Sequence, residues 1–212
     1  MYFKQLKCGG DRNFGYIIAD EESKKCALID PSPDATEAIK EAKDRDFEIT
    51  YVINTHSHFD HTVGNSEIKS ISKAKIVCHS TSPEGEIKVN EGDRLPLGNQ
   101  SIKIVYTPGH TKDSICLLVE GRLMTGDTLF VGMIGGTQTK EDAMEQFDSL
   151  KRLMKLEDNI SVWPGHNYGI EMSSTIKKER ENNPFCQRLY DFEAFYNLKE
   201  NWDEYKREHN IP

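Results

Sequence analysis

Five β-type segments of this chain each run straight into a side chain able to bind a metal. "YVIN" leads into His56, His58, Asp60 and His61. "KIVC" leads into His79, "IKIVYTPG" into His110, "RLMTG" into Asp127 and "SVWPG" into His166. The segments are short, rich in β-branched residues and bounded by turn formers, which is the signature of strands. If these strands point the same way, the loops that follow them meet at one rim. Such a fold gathers six of the seven histidines and two aspartates at one edge of its sheets.

The other segments fit that frame. "YFKQLKC", "FGYIIAD" and "KCALID" read as strands separated by Gly9-Gly10 and a charged turn, and "EITYVINT" is a strand delivered directly into His56. A helix is expected from Ser32-Pro33 to about Asp44, with Ser32 as N-cap and Pro33 at the first helical position. Further turns are expected at Gly98-Asn99 and Glu120-Gly121, and a short helix over Asn65 to Ser72. Ala143, Phe147, Leu150 and Met154 make the apolar stripe of a helix from about Lys140 to Lys155, opened by Thr139 and Asp142 in a capping-box arrangement. From about Gly169 the chain is polar, acidic and helix-like, with enough aromatic residues to dock on the main body. Strands early and helices between later strands predict an α/β body of two sheets with helices outside.

Bulk properties narrow the function. The formal net charge is −8, and phosphate binding draws on clustered Lys and Arg, so no nucleic-acid partner is expected. No apolar run approaches the roughly 20 residues that span a bilayer, and no membrane association is expected. The N-terminus lacks the charged start and apolar core of a signal peptide. The five cysteines are scattered and form no Cys-x-x-Cys pair. They read as free thiols in a reducing compartment, so a cytoplasmic location is expected.

Three histidines and an aspartate within "HSHFDH" serve neither helical nor strand patterning. A lone loop histidine is usually exposed or a cap, and His209 in the charged tail is read that way. His79 is treated alike, with a role in orienting a ligand through its ring N–H as the alternative. For the set, metal binding is the chemistry that fits. Neutral imidazole and carboxylate are ligands for zinc, iron or manganese. His56 and His58 can face one ion, Asp60 and His61 a second, and a carboxylate such as Asp127 can bridge. Two ions roughly 3.5–4 Å apart would share a water and hold it as hydroxide near neutral pH.

These residues resemble the metallo-β-lactamase superfamily. "THSHFDH" is similar to its His-x-His-x-Asp-His loop, and "TPGHT", "TGDTLF" and "WPGH" match its later motifs in order. The resemblance implies a four-layer αββα sandwich over residues 1–168 as the catalytic domain. A short C-terminal helical extension, 169–212, would pack on the same domain. It implies that His56, His58 and His110 bind metal one, that Asp60, His61 and His166 bind metal two, and that Asp127 bridges. Asp127 in place of a cysteine, with "SSTIKKERENNPFCQRL" in the tail, resembles the hydroxyacylglutathione hydrolases (glyoxalase II). Tyr168 matches a tyrosine that those enzymes place near glutathione. After "GDTLF" that family has Gly-Cys-Gly and a basic or aromatic group, where this chain has "VGMIGGTQTKED".

A metal-dependent hydrolase is therefore expected, cleaving a thioester of the hydroxyacylglutathione type. Two divalent ions are its cofactors, zinc first and iron or manganese also suited. Asp60 would orient the nucleophile while serving as a ligand. Tyr168, Gly135 and Gly136 would contact a small-molecule substrate, the glycines either letting it approach closely or forming a plain turn. A homodimer is compatible with the sequence. The alternatives are a mononuclear-iron persulfide dioxygenase using His56, His110 and Asp127, and a metallohydrolase acting on another ester or phosphoester.

Overall fold

The computed structural model describes residues 1–209 and 211. Two six-stranded sheets lie face to face. The first holds β1 (Tyr2–Lys7), β2 (Phe14–Asp20), β3 (Lys25–Ile29), β4 (Glu48–Ile53), β5 (Lys75–His79) and β6 (Ile87–Val89), in that order. The second holds β7 (Arg94–Leu97), β8 (Gln100–Tyr106), β9 (Ile115–Val119), β10 (Arg122–Gly126), β11 (Ser161–Pro164) and β12 (Ser174–Thr175), with β12 and β7 at its edges.

Helices cover both outer faces. On the first sheet lie α1 (Thr36–Asp44) and α3 (Asn65–Ile71), which follows a single turn, α2 (Phe59–Thr62). On the second lie α4 (Lys140–Leu153), α5 (Ile176–Asn182), α6 (Phe192–Glu200) and α7 (Trp202–His209). The layers are α, β, β, α, as expected.

Alternation along the strands builds three apolar clusters. Tyr16, Ile18, Ala27, Ile29 and Ile53 face Leu97, Ile102, Ile104, Leu117 and Met124 between the sheets. The opposite faces of the same strands, through Ile17, Ala19 and Leu28, meet Ala35, Ala38 and Ala42 around α1. Cys116, Leu123 and Val162 meet Phe147, Leu150 and Leu153 of α4, and Ile176, Phe185, Phe195 and Leu198 of the tail join that cluster. All five cysteines are buried free thiols.

Most of the expected elements form where the pattern placed them. Leu97 pairs with Gln100 across Gly98-Asn99, and Val119 with Arg122 across Glu120-Gly121. Thr139 and Asp142 form the capping box of α4. The Ser32 cap does not form. α1 starts at Thr36 with Ala35 at its N-cap position, and the Ser32-Pro33 peptide is cis. The Ser32 hydroxyl instead accepts the Gly64 N–H at 2.9 Å, and Asp34 accepts the Thr36 N–H. Ser32 is thus spent on the segment that follows the histidine-rich loop.

Strand direction gathers the donors. β3, β4 and β5 are parallel neighbours. β8 and β10 share a direction because each is antiparallel to β9, and β11 is parallel to β10. β1 runs with β3 because both are antiparallel to β2. No helix among the described residues is long and apolar enough to cross a membrane.

Candidate metal centre

All seven donor residues expected to bind metal come together at the rim. One set is His56, His58 and His110, with His58 Nδ1 at 3.0 Å from His56 Nε2 and 3.1 Å from His110 Nε2. Another is Asp60, His61 and His166, with His61 Nε2 at 3.2 Å from His166 Nε2 and Asp60 Oδ2 at 3.5 and 3.4 Å from those two nitrogens. Asp127 stands between the sets. Its Oδ1 is 3.5 Å from His61 Nε2, and its Oδ2 is 3.6 Å from His110 Nε2 and 3.4 Å from His166 Nε2. His56, His61, His166 and Asp127 are buried, while His58, Asp60 and His110 are partly open to solvent.

The other ring nitrogens say which nitrogen carries the proton. His61 Nδ1 meets the Asp30 carboxylate at 3.0 Å, His166 Nδ1 the Asp11 carbonyl at 2.9 Å, and His110 Nδ1 the Gly136 carbonyl at 2.8 Å. Each partner can only accept, so each Nδ1 donates. His56 Nδ1 meets Thr55 Oγ1 at 3.2 Å, and that hydroxyl's own proton goes to Asp30. In the neutral rings so fixed, four Nε2 lone pairs point into the centre. Two imidazole lone pairs at about 3 Å repel, and the buried Asp127 Oδ1 has no hydrogen-bond partner. A cation in each set converts that repulsion into ligation, so the donors fit two divalent metals.

Without a cation, a proton on His61 relieves part of that repulsion. Burial holds the His56 imidazole well below its ordinary range. Burial pulls His61 the same way, but the charge and hydrogen bond of Asp30, with Asp127 and Asp60 behind them, lift it to about 9 in the metal-free protein. Burial would raise the Asp127 carboxyl, yet the imidazoles of His166, His61 and His56 keep it below the usual carboxylate range.

The remaining expected site residues also lie at this rim. Tyr168 stacks on His166, with centroids 4.7 Å apart and planes 9° apart, and its hydroxyl donates to Asp11. A side chain at Gly135 would collide with the Asp127 carbonyl and lie against the His110 ring, so close packing requires glycine there. Gly136 faces open space. His79 does not orient a ligand: its Nδ1 pairs with Thr81 Oγ1 and its ring lies flat on Tyr106 at 4.0 Å.

Residues not foreseen do the orienting. Asp30, at the end of β3, accepts from His61, Thr55 N and Thr55 Oγ1. Asp11 and Asn13 follow β1, and Asn13 Nδ2 donates to Asp60 Oδ2 at 2.8 Å. The buried Tyr16 hydroxyl donates to the Pro164 carbonyl, two residues before His166. The signal that singled out the ligands, a polar residue just past a strand end, applies equally to "KCGGDRN" after β1 and "ALID" at β3.

A model of the metallo-beta-lactamase superfamily matches residues 9–84 and 80–166. The chain belongs to that superfamily. A hydroxyacylglutathione hydrolase of Maricaulis maris is 35% identical over 175 residues, 79% of this chain and 67% of that protein. The probable polyketide biosynthesis zinc-dependent hydrolase BaeB of Bacillus velezensis is 28% identical over 88% of this chain and 87% of its own length. The crystal structure of ETHE1 from Myxococcus xanthus superposes with a TM-score of 0.88 at 31% identity, covering 95% of this chain and 91% of that one. Superfamily membership and paired donor sets together support a metal-dependent hydrolase with a binuclear site.

Proposed function

We propose that the seven donors hold two divalent ions, zinc first, and that the chain hydrolyses an acyl thioester. The carrying observation is the convergence of four fixed Nε2 lone pairs with an unpartnered Asp127 oxygen. His56, His58 and His110 would hold one ion, Asp60, His61 and His166 the other, and Asp127 would span them. Two divalent ions so placed supply Lewis-acid polarisation of a carbonyl and bring the pKa of water toward neutrality.

The chain's own residues set the geometry for this. Asn13 fixes Asp60, so one carboxylate oxygen serves the donor set while the partly open side chain orients a water. Gly136 leaves room for a substrate beside His110. A pocket of about 460 Å³ opens beside Tyr168, with Val131, Met133, Ile170 and Pro184 among its lining, and suits an apolar arm of the substrate. A thiolate leaves with little proton donation, since thiol pKa values lie near 8.5. That suits a cleft whose imidazoles and carboxylates are engaged with one another.

Acyl-glutathione thioesters are the first substrates to test, given the relatives named hydroxyacylglutathione hydrolase. A different activated ester or phosphoester is the second reading. It accords with the name of the relative of nearly equal length, BaeB, a probable zinc-dependent hydrolase, whereas the chain spans about two thirds of the Maricaulis maris enzyme.

The test is metal analysis of protein purified without added metal, with a panel of thioesters, esters and phosphoesters. Two ions per chain with thioester turnover, lost in a folded His58→Ala variant, is the expected result. One iron per chain with oxygen uptake on a persulfide would replace this reading with the dioxygenase one. Full turnover in His58→Ala would overturn the ligand assignment.

A further inference from the structure

A lysine of the C-terminal helices reaches the loop beside His110 and Asp127. Lys199, on α6, is partly buried and passes near the rings of Phe185 and Phe195. Its ammonium donates to the Gly135 carbonyl at 3.0 Å and to Gln146 Oε1 at 2.7 Å. Both acceptors are neutral. Holding an ammonium against neutral carbonyl groups in a largely apolar seat costs free energy, and burial pulls its pKa down to about 8.

Gly135 is the point where that contact acts. The same carbonyl accepts from Gln146 Nε2 at 3.0 Å, so α4 and α6 hold it from two sides. The next carbonyl, Gly136, is the acceptor that fixes the His110 proton on Nδ1. The Cα of Gly135 packs so closely on the Asp127 carbonyl and the His110 ring that no side chain fits between. α4 also braces the His110 loop from below: Ser149 donates to the Pro108 carbonyl, and Gly109 sits against the Gln146 backbone.

We propose that Lys199 is a positioning residue for the metal centre, pinning the Gly135-Gly136 segment so that His110 presents its Nε2 to the ion shared with His56 and His58. This rests on the binuclear reading above. It acts on one donor set alone, because His61, His166 and Asp60 are oriented by Asp30, Asp11 and Asn13 instead.

The test is zinc affinity, measured by competition with a chromophoric chelator on the full chain. Lys199→Met keeps the length and the apolar contacts and removes the donor. One of the two binding steps should weaken by about 5- to 10-fold, below the 10–100-fold of a direct ligand partner, while the other stays at its wild-type value. Gln146→Leu, on a different helix, should weaken the same step. Asp30→Asn should weaken the opposite one more strongly.

A wild-type chain that takes up no zinc would sink the metal centre itself. Two wild-type steps that remain unchanged in both folded variants would overturn the Lys199 assignment alone. So would equal weakening of both steps in parallel with a lowered Tm of the metal-free chain, which is the mark of a merely structural lysine.

Discussion

Asp30→Asn is the sharpest perturbation of this site, because it changes one atom and reverses a proton. Asp30 is buried and accepts three hydrogen bonds, from Thr55 N at 2.8 Å, Thr55 Oγ1 at 2.6 Å and His61 Nδ1 at 3.0 Å. With asparagine, Oδ1 still serves Thr55 N. The new amide then faces the hydroxyl and the imidazole N–H with hydrogens of its own. His61 can relieve the conflict by moving its proton to Nε2, and that nitrogen then has no lone pair for an ion. Keeping the proton on Nδ1 leaves buried donors unpaired, at a cost of about 1–3 kcal/mol. Since about 1.4 kcal/mol is tenfold in affinity, the ion facing His61 should bind roughly 5- to 150-fold more weakly, in line with about 10–100-fold for lost orienting partners. A zinc competition titration reads this directly, and the ion facing His58, which Asp30 reaches only through the Thr55 hydroxyl and His56, should weaken less. Two wild-type affinities in folded Asp30→Asn would refute the tautomer argument, and with it the account of why the nitrogens converge.

Three further outcomes follow from the packing and charges. Gly135→Ala should cost zinc at the set containing His110, because its Cβ collides with the Asp127 carbonyl; equilibrium dialysis should return fewer than two ions per chain. Phe195→Ala removes a fully buried ring from the cluster joining α4 to the tail, and denaturant melts should show a loss of about 3–5 kcal/mol. Glu41 joins α1 to β1 by accepting from Lys4, Tyr2 and Arg45, which hold its carboxyl down at about 2. A depressed carboxylate stabilises above its unfolded pKa and loses that contribution as pH falls from about 4.5 to 2. Discounted for its position near the surface, the effect is roughly 1 kcal/mol, and Glu41→Gln should flatten the acid limb of a stability–pH profile by that amount.

The donor residues gathered at the rim were legible in the sequence because they follow closely on strands whose β-branched pattern is unambiguous, as "IKIVYTPGH" and "RLMTGD" show. The helix α4 was legible through its cap and its stripe. The Ser32 cap failed for a reason that local pattern cannot hold. A hydroxyl beside a proline is a helix start only if nothing else claims it, and here Gly64, thirty-two residues away, does. Asp11, Asn13 and Asp30 were hidden in a different way. Their roles depend on β1 and β3 sharing a direction with β4, and strand direction is a property of pairing, which no window of sequence contains.

Lys199 shows where that limit lies. In sequence it is one of two charges on "YNLKEN", at a helical position that a solvated face would fill equally well. Only the packing of Phe185 and Phe195 against α4 turns it inward, onto a carbonyl that lies next to the acceptor of His110. The histidine-rich loop therefore does not make a metal centre by itself. Asp30 after β3, Asp11 after β1 and Gly136 in the loop after β10 accept from the Nδ1 of His61, His166 and His110, and Lys199 of the C-terminal helices braces the neighbouring Gly135 carbonyl. A chain cut before α6 would retain every ligand and lose one of the groups that aims them.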